Sequence, residues 1–128
     1  MTIIIIIYKK GIAMEKNLNG KTLFLKSDKI GEGELGSILI NGFLKAMVDQ
    51  KNLPATIVCV NSAVLLTTAK EDNEVLQSLQ ALEKKGVEIL SCGTCLDYYD
   101  ARDKLKVGKP GNAIDTVGML LTKDIVSF

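Results

Sequence analysis

Cys92-Gly93-Thr94-Cys95 is the stretch of this sequence whose residue types and spacing could do covalent chemistry. Two thiols at this spacing can exchange. The thiolate of one attacks, and the second attacks whatever disulfide or persulfide forms on the first. The stretch follows a short apolar run, Val87-Glu88-Ile89-Leu90-Ser91, and so reads as the junction of a buried strand with a helix. Free backbone N–H groups and the dipole of a helix N-terminus favour an anion there. Gly93 and Thr94 would supply those amides to a thiolate at Cys92. Dithiol redox and transfer of a sulfur atom carried as a persulfide both fit. Two inert, half-buried cysteines at a helix start are the plainer alternative. Cys59 lies inside an apolar strand and reads as a core residue.

What the sequence lacks narrows the chemistry further. With no histidine there is no His general base, no Ser-His or Cys-His catalysis and no His metal ligand. Three cysteines fall short of the four ligands a structural zinc usually takes and would need a carboxylate or a second subunit to complete the set; no metal and no cofactor is expected. An odd cysteine count also does not suit a secreted disulfide framework, and the expected compartment is a reducing, cytoplasmic one. Lys and Arg number 16 against 15 Asp and Glu, a net charge of +1, which is no footprint for nucleic acid. With 5% aromatics and no tryptophan there is no base-stacking platform either.

Several elements must position the cysteines. A hydrophobic share of 47% with 24% charged residues is that of a globular domain, and 128 residues suit one domain that needs no metal or disulfide staple. Residues 1–20 read as an N-terminal appendage outside the core, and residues 21–128 as the domain. The unbroken isoleucines from Ile3 to Ile7 are far short of the about 20 apolar residues of a membrane span. Lys9 and Lys10 follow them, whereas a signal peptide carries its charge first. Five β-branched residues favour a strand, either an extra edge strand or part of the appendage. Met14 opens a polar start that would suit natural initiation.

From Thr22 onward strands and helices alternate. Strands are expected at Thr22 to Ser27, Ala55 to Val60, Val87 to Ser91, Leu105 to Val107 and Ile125 to Phe128. The first helix shows Leu35, Ile38, Leu39, Gly42, Phe43, Ala46 and Met47 at the spacing of one apolar face, and ends near Gln50. Val75, Leu76, Leu79 and Leu82 mark a second helix, stopped by Lys84-Lys85-Gly86. A third runs from the cysteine pair to about Lys104, and a fourth from a capping Asn112 to about Leu121. This alternation predicts an α/β fold, a three-layer α/β/α sandwich around a mainly parallel five-stranded sheet. Ligands bind such sheets beyond the carboxyl ends of the strands. Asp28 to Gly33, Asn61 to Val64 and Cys92 to Cys95 all lie there.

Gly31-Glu32-Gly33-Glu34-Leu35-Gly36 has the spacing of a dinucleotide fingerprint. That reading fails. Ser27 to Ile30 separate the glycines from the strand, two glutamates stand where a pyrophosphate would sit, and the second strand ends in Asn61 rather than an acid. A tight loop before a helix explains the glycines. Asn61-Ser62 could donate to a bound anion, but a turn or cap is the simpler expectation. Tyr98 and Tyr99 could wall the cysteines, with core packing the favoured expectation.

These residues together resemble a known family. Ser27-Asp28-x-Ile30-Gly31-x-Gly33-x-x-Gly36, Val60-Asn61-Ser62-x-Val64, Gly86-Val87-Glu88-Ile89-Leu90-x-Cys92-Gly93-Thr94-Cys95-Leu96-Asp97, Val107-Gly108 and Asn112 resemble the C-terminal domain of YedF-like proteins, in the DsrE/DsrF-like sulfur-relay superfamily. The resemblance covers nearly all of Lys21 to Phe128. It implies an α/β/α sandwich, a homo-oligomer, and a role in sulfurtransfer or selenium metabolism, with the cargo on Cys92. YedF-like proteins usually begin with a domain carrying Cys-Pro-x-Pro, whereas Met1 to Gly20 holds no cysteine. A partner protein with a reactive cysteine is therefore expected to donate or accept sulfur. Ala63 and Ala113 stand where the family more often has Gly and Met.

The expected function is a cytoplasmic, sulfurtransferase-like relay protein without nucleic-acid or membrane partners. Cys92 would carry the persulfide and Cys95 release or protect it. Gly93, Thr94, Asn61, Gly31 and Gly33 would stabilise the anion or shape its pocket. A thiol-disulfide oxidoreductase and a non-catalytic oligomeric subunit of a relay complex are the rivals.

Overall fold

The computed structural model describes residues 2–7, 13–18 and 20–128. Two strands come first, β1 (Thr2–Ile7) and β2 (Ala13–Leu18), paired antiparallel, so the β-branched isoleucine run does form a strand. Residues 1, 8–12 and 19 of the expected appendage lie outside the described residues. Next come β3 (Lys21–Leu25), α1 (Gly33–Val48) and the two-residue β4 (Asn52–Leu53). β4 pairs parallel with β2, which makes β1-β2-β4 a small sheet of its own. The chain continues through β5 (Thr56–Cys59), a 3-10 turn (Asn61–Ala63), α2 (Val64–Thr67), α3 (Glu74–Lys84) and β6 (Glu88–Cys92). It ends with α4 (Gly93–Tyr98), a second 3-10 turn (Arg102–Lys104), β7 (Lys109–Gly111), α5 (Ala113–Thr122) and β8 (Asp124–Ser127).

The main sheet has five strands in the order β7-β6-β5-β3-β8, every pair parallel. From β3 the chain steps to β5, β6 and β7 in one direction, and α1 packs on α3 along the way. The last connection returns from β7 to β8 at the opposite edge. Right-handed crossovers then put α5 on the other face, which gives the expected three layers. The buried core lies between the sheet and α1 and α3. Leu23, Leu25, Ile57, Cys59 and Ile89 from the strands meet Ile40, Leu44, Leu76, Leu79 and Leu82 from the helices. Asn73 and Asn112 cap α3 and α5, their side-chain oxygens accepting from the N–H of Leu76 and Asp115 at 3.0 and 2.9 Å. Among the described residues no helix is long and apolar enough to cross a membrane.

Three expectations are corrected here. The apolar face predicted for α1 is largely the exposed one: Leu35, Ile38 and Phe43 are 65%, 58% and 49% exposed, while Gly36, Ile40 and Leu44 are buried. The helix is apolar on most of its circumference, and a close approach chooses the side. A Cβ on Gly36 would lie 2.9 Å from the Ile30 carbonyl oxygen, so the glycine turns that side inward. The third helix stops at Tyr98 rather than near Lys104, because Asp100 adopts a left-handed φ of 51° and reverses the chain. The strand expected at Leu105 to Val107 forms instead at Lys109–Gly111. That strand is an edge of the sheet, where Pro110 can be tolerated without an N–H to donate.

Candidate active site

β6 and α4 meet without an intervening loop. Cys92 is the last residue of the strand and the N-cap of the helix, and Gly93 is the first helical residue. The ladder to β7 sets Cys92 opposite Gly111. A Cβ at Gly93 would come within 3.2 Å of the Gly111 carbonyl oxygen, so a side chain there would press on the backbone of β7. Beneath the junction, the hydroxyls of Ser91 and Thr67 pair at 2.8 Å, and Thr67 also donates to the Val64 carbonyl. Two polar groups are thereby satisfied inside the core.

One turn into α4, the Cys95 sulfur accepts the backbone N–H of Asn61 at 3.1 Å. Asn61 has a left-handed φ of 53°, a conformation that Asn tolerates better than most residues. The Cys95 thiol also lies close enough to Cys92 for the two to influence each other's protonation. Burial pushes the Cys95 thiol above its ordinary pKa, the neighbouring Cys92 thiol pushes it the same way, and the Asn61 N–H pulls against both. Cys95 lines a cleft of about 460 Å³ together with Val60, Asn61, Thr94, Tyr98 and Tyr99. No lysine or arginine lines it. Cys59, by contrast, is wholly buried, and burial pushes its thiol up to about 12. Among the described residues no cluster of three or more Cys, Asp or Glu is gathered as a metal site.

Of the residues expected to form the site, Asn61, Thr94 and Cys95 line the cleft, while Cys92 and Gly93 form the strand-to-helix junction next to Thr94 and do not line it. Asn61 meets Cys95 through its main chain rather than as a cap. Ser62 points elsewhere: its hydroxyl accepts the Asp28 N–H at 3.1 Å and ties this turn to the loop after β3. Gly31 and Gly33 do not line the cleft. They give the loop before α1 its left-handed positions, at φ 79° and 69°. That loop closes on itself, with the Ile30 N–H donating to the Gly36 carbonyl and the Gly36 N–H to that of Glu32. Tyr98 corrects the expectation of core packing. It is 83% exposed and stands edge-on to Tyr99, ring centres 5.1 Å apart, as a wall of the cleft.

Sequence reasoning passed over Arg102. Its guanidinium holds Asp97 through Nε and Nη2 at 2.8 and 3.0 Å and also donates to the Gly93 carbonyl at 3.2 Å. This pairing keeps the Asp97 carboxyl below its usual range. The one available signal was that Arg102 is the only arginine in the sequence.

No known family profile matches the chain, and no curated protein matches it. Solved structures do. A conserved protein of unknown function, BT1422 from Bacteroides thetaiotaomicron, superposes with a TM-score of 0.61 at 16% identity, over 86% of this chain and 96% of that one. The ychN protein from E. coli superposes with a TM-score of 0.56 at 15% identity, over 84% and 99%. At these identities the likeness is one of fold.

Proposed function

We propose that the chain is a DsrE-like sulfur-relay protein, carrying a persulfide or its selenium analogue on Cys92. The observation that carries this reading is the Cys95 thiol, two residues beyond Gly93 and beside Cys92 at the carboxyl edge of the sheet, accepting the Asn61 N–H. A thiol that keeps its proton is a poor nucleophile and a good hydrogen-bond donor. Cys95 therefore serves as donor to Cys92, and Cys92 as the attacking sulfur. The Cys92 thiolate displaces the carrier thiolate of a donor persulfide and takes over its outer sulfur. Once deprotonated, Cys95 attacks the inner sulfur of the Cys92 persulfide. The Cys92–Cys95 disulfide forms, the outer sulfur leaves as hydrosulfide with the electron pair, and a reducing thiol resets the pair.

The uncharged cleft beside Cys95 suits a peptide segment bearing a cysteine persulfide better than a small oxyanion, which would seek a positive charge. The exposed apolar residues of α1 and α5, Leu35 and Ile38 with Ile114 and Leu121, support a homo-oligomer. The odd thiol count supports a reducing, cytoplasmic setting.

Incubation with glutathione persulfide followed by non-reducing peptide mass spectrometry tests the reading. One added sulfur on Cys92 is expected. Cys92→Ser abolishes it and Cys95→Ser prolongs it. A wild-type protein that takes up no sulfur overturns the proposal. The paired thiols also support a disulfide oxidoreductase, and turnover in insulin reduction without persulfide uptake would favour that second reading.

A further inference from the structure

We propose that Arg102 is a positioning residue for the cysteine pair, gripping in one guanidinium the peptide after Cys92 and the carboxylate after Cys95. α4 has only six residues, too few to hold its own geometry. Something outside it must set the spacing of the two sulfurs. The turn after it does this. Asp100 is left-handed, its N–H donates to the Asp97 carbonyl, and the Ala101 N–H reaches back to the Leu96 carbonyl at 2.9 Å. Ala101 is buried, which anchors the reversal, and the next residue comes to lie over the start of the helix.

Had the helix run on, Gly93 and Arg102 would stand about 13 Å apart along its axis. Instead, the Arg102 Nη2 lies 2.9 Å from where a Cβ on Gly93 would be. Three acceptor oxygens lie within reach of its Nε and Nη2 donors: both carboxylate oxygens of Asp97 and the carbonyl of Gly93. A planar fork meets such a set and an ammonium does not, which accounts for an arginine in a chain that otherwise uses lysine. Both partners are more than half exposed, so the ion pair itself adds little to stability. Its effect is on geometry.

The inference rests on the reading of Cys92 and Cys95 as a working pair, but its test does not need sulfur transfer. Wild type, Arg102→Ala, Arg102→Lys and Asp97→Asn are compared in the full chain. The readouts are the equilibrium constant for closing the Cys92–Cys95 disulfide against glutathione and the pH profile of iodoacetamide alkylation at each cysteine. In Arg102→Ala the disulfide constant is expected to fall about tenfold and the alkylation profiles to shift. Arg102→Lys recovers little, and Asp97→Asn, which keeps the hold on Gly93, shows a smaller loss. A folded Arg102→Ala protein within about twofold of wild type in both readouts overturns the proposal. If that variant does not fold by circular dichroism, Arg102→Lys decides by the same limits. Failure of glutathione persulfide to load the wild type would sink the relay reading and leave this result standing.

Discussion

Cys59 and Cys92 are the last residues of adjacent parallel strands, β5 and β6. The register pairs Cys59 with Ser91, so Cys92 stands one residue further toward the carboxyl edge. There the strand gives way to α4, and Cys92 packs against the margin of the same core that encloses Cys59. Cys59 faces the helices α1 and α3 and is fully buried, whereas Cys92 is half-buried at the junction with α4. Both are thiols at the end of a buried strand of much the same composition. A single residue of register separates a thiol that cannot ionise at ordinary pH from one that meets a second thiol and a helix start.

The contrast can be broken most directly with iodoacetamide. Raising a thiol from 9.0 to about 12 lowers its thiolate fraction near neutral pH by about a thousandfold. Cys59 should stay unmodified in the folded protein while Cys92 and Cys95 react. Peptide mass spectrometry reads this, and alkylation of Cys59 at a rate near that of Cys95 would break the comparison.

Stability against pH comes next. Between 9.0 and about 12 the folded state keeps the Cys59 proton and the unfolded state loses it, so the folded form binds more protons there. The contribution is complete below 9.0 and declines by ~1.4 kcal/mol per pH unit above it, until the folded thiol also ionises near 12. Urea unfolding at about pH 8 and about pH 10.5 should show this decline in wild type and its absence in Cys59→Ala. Equal slopes in the two proteins would contradict it.

Asn61 sharpens the other side of the comparison. Its left-handed backbone aims the N–H at Cys95, so Asn61→Ala should cost about 1 kcal/mol and change the pH profile of Cys95 alkylation. Asn61→Gly keeps that backbone conformation and should restore the profile. If Asn61→Gly behaves like Asn61→Ala, the side chain and not the main chain is what matters. The smallest effect is expected at Tyr98. Tyr98→Ala should change stability by less than about 0.5 kcal/mol because the ring is exposed. It should slow sulfur transfer from a protein donor more than from glutathione persulfide, and equal slowing would remove Tyr98 from the cleft's recognition surface.

The alternation of apolar runs with amphipathic stretches determined, without any coordinates, the five-stranded parallel sheet and the placing of a two-thiol motif at a strand-to-helix junction. Those are local properties: a run of β-branched residues, a spacing of three and four, an Asn before a helix. Which side of α1 is buried was not local, because its apolar residues nearly encircle it and the docking of Gly36 against Ile30 made the choice. The same holds at the site. The N–H on Cys95 comes from a turn 34 residues earlier, and the grip of Arg102 on Gly93 depends on a left-handed Asp100 that no periodicity announces. Chain pattern specifies which groups are made and roughly where each segment turns. Only the packed sheet brings the end of β5, the start of α4 and the turn after it close enough to act on the same pair of sulfurs.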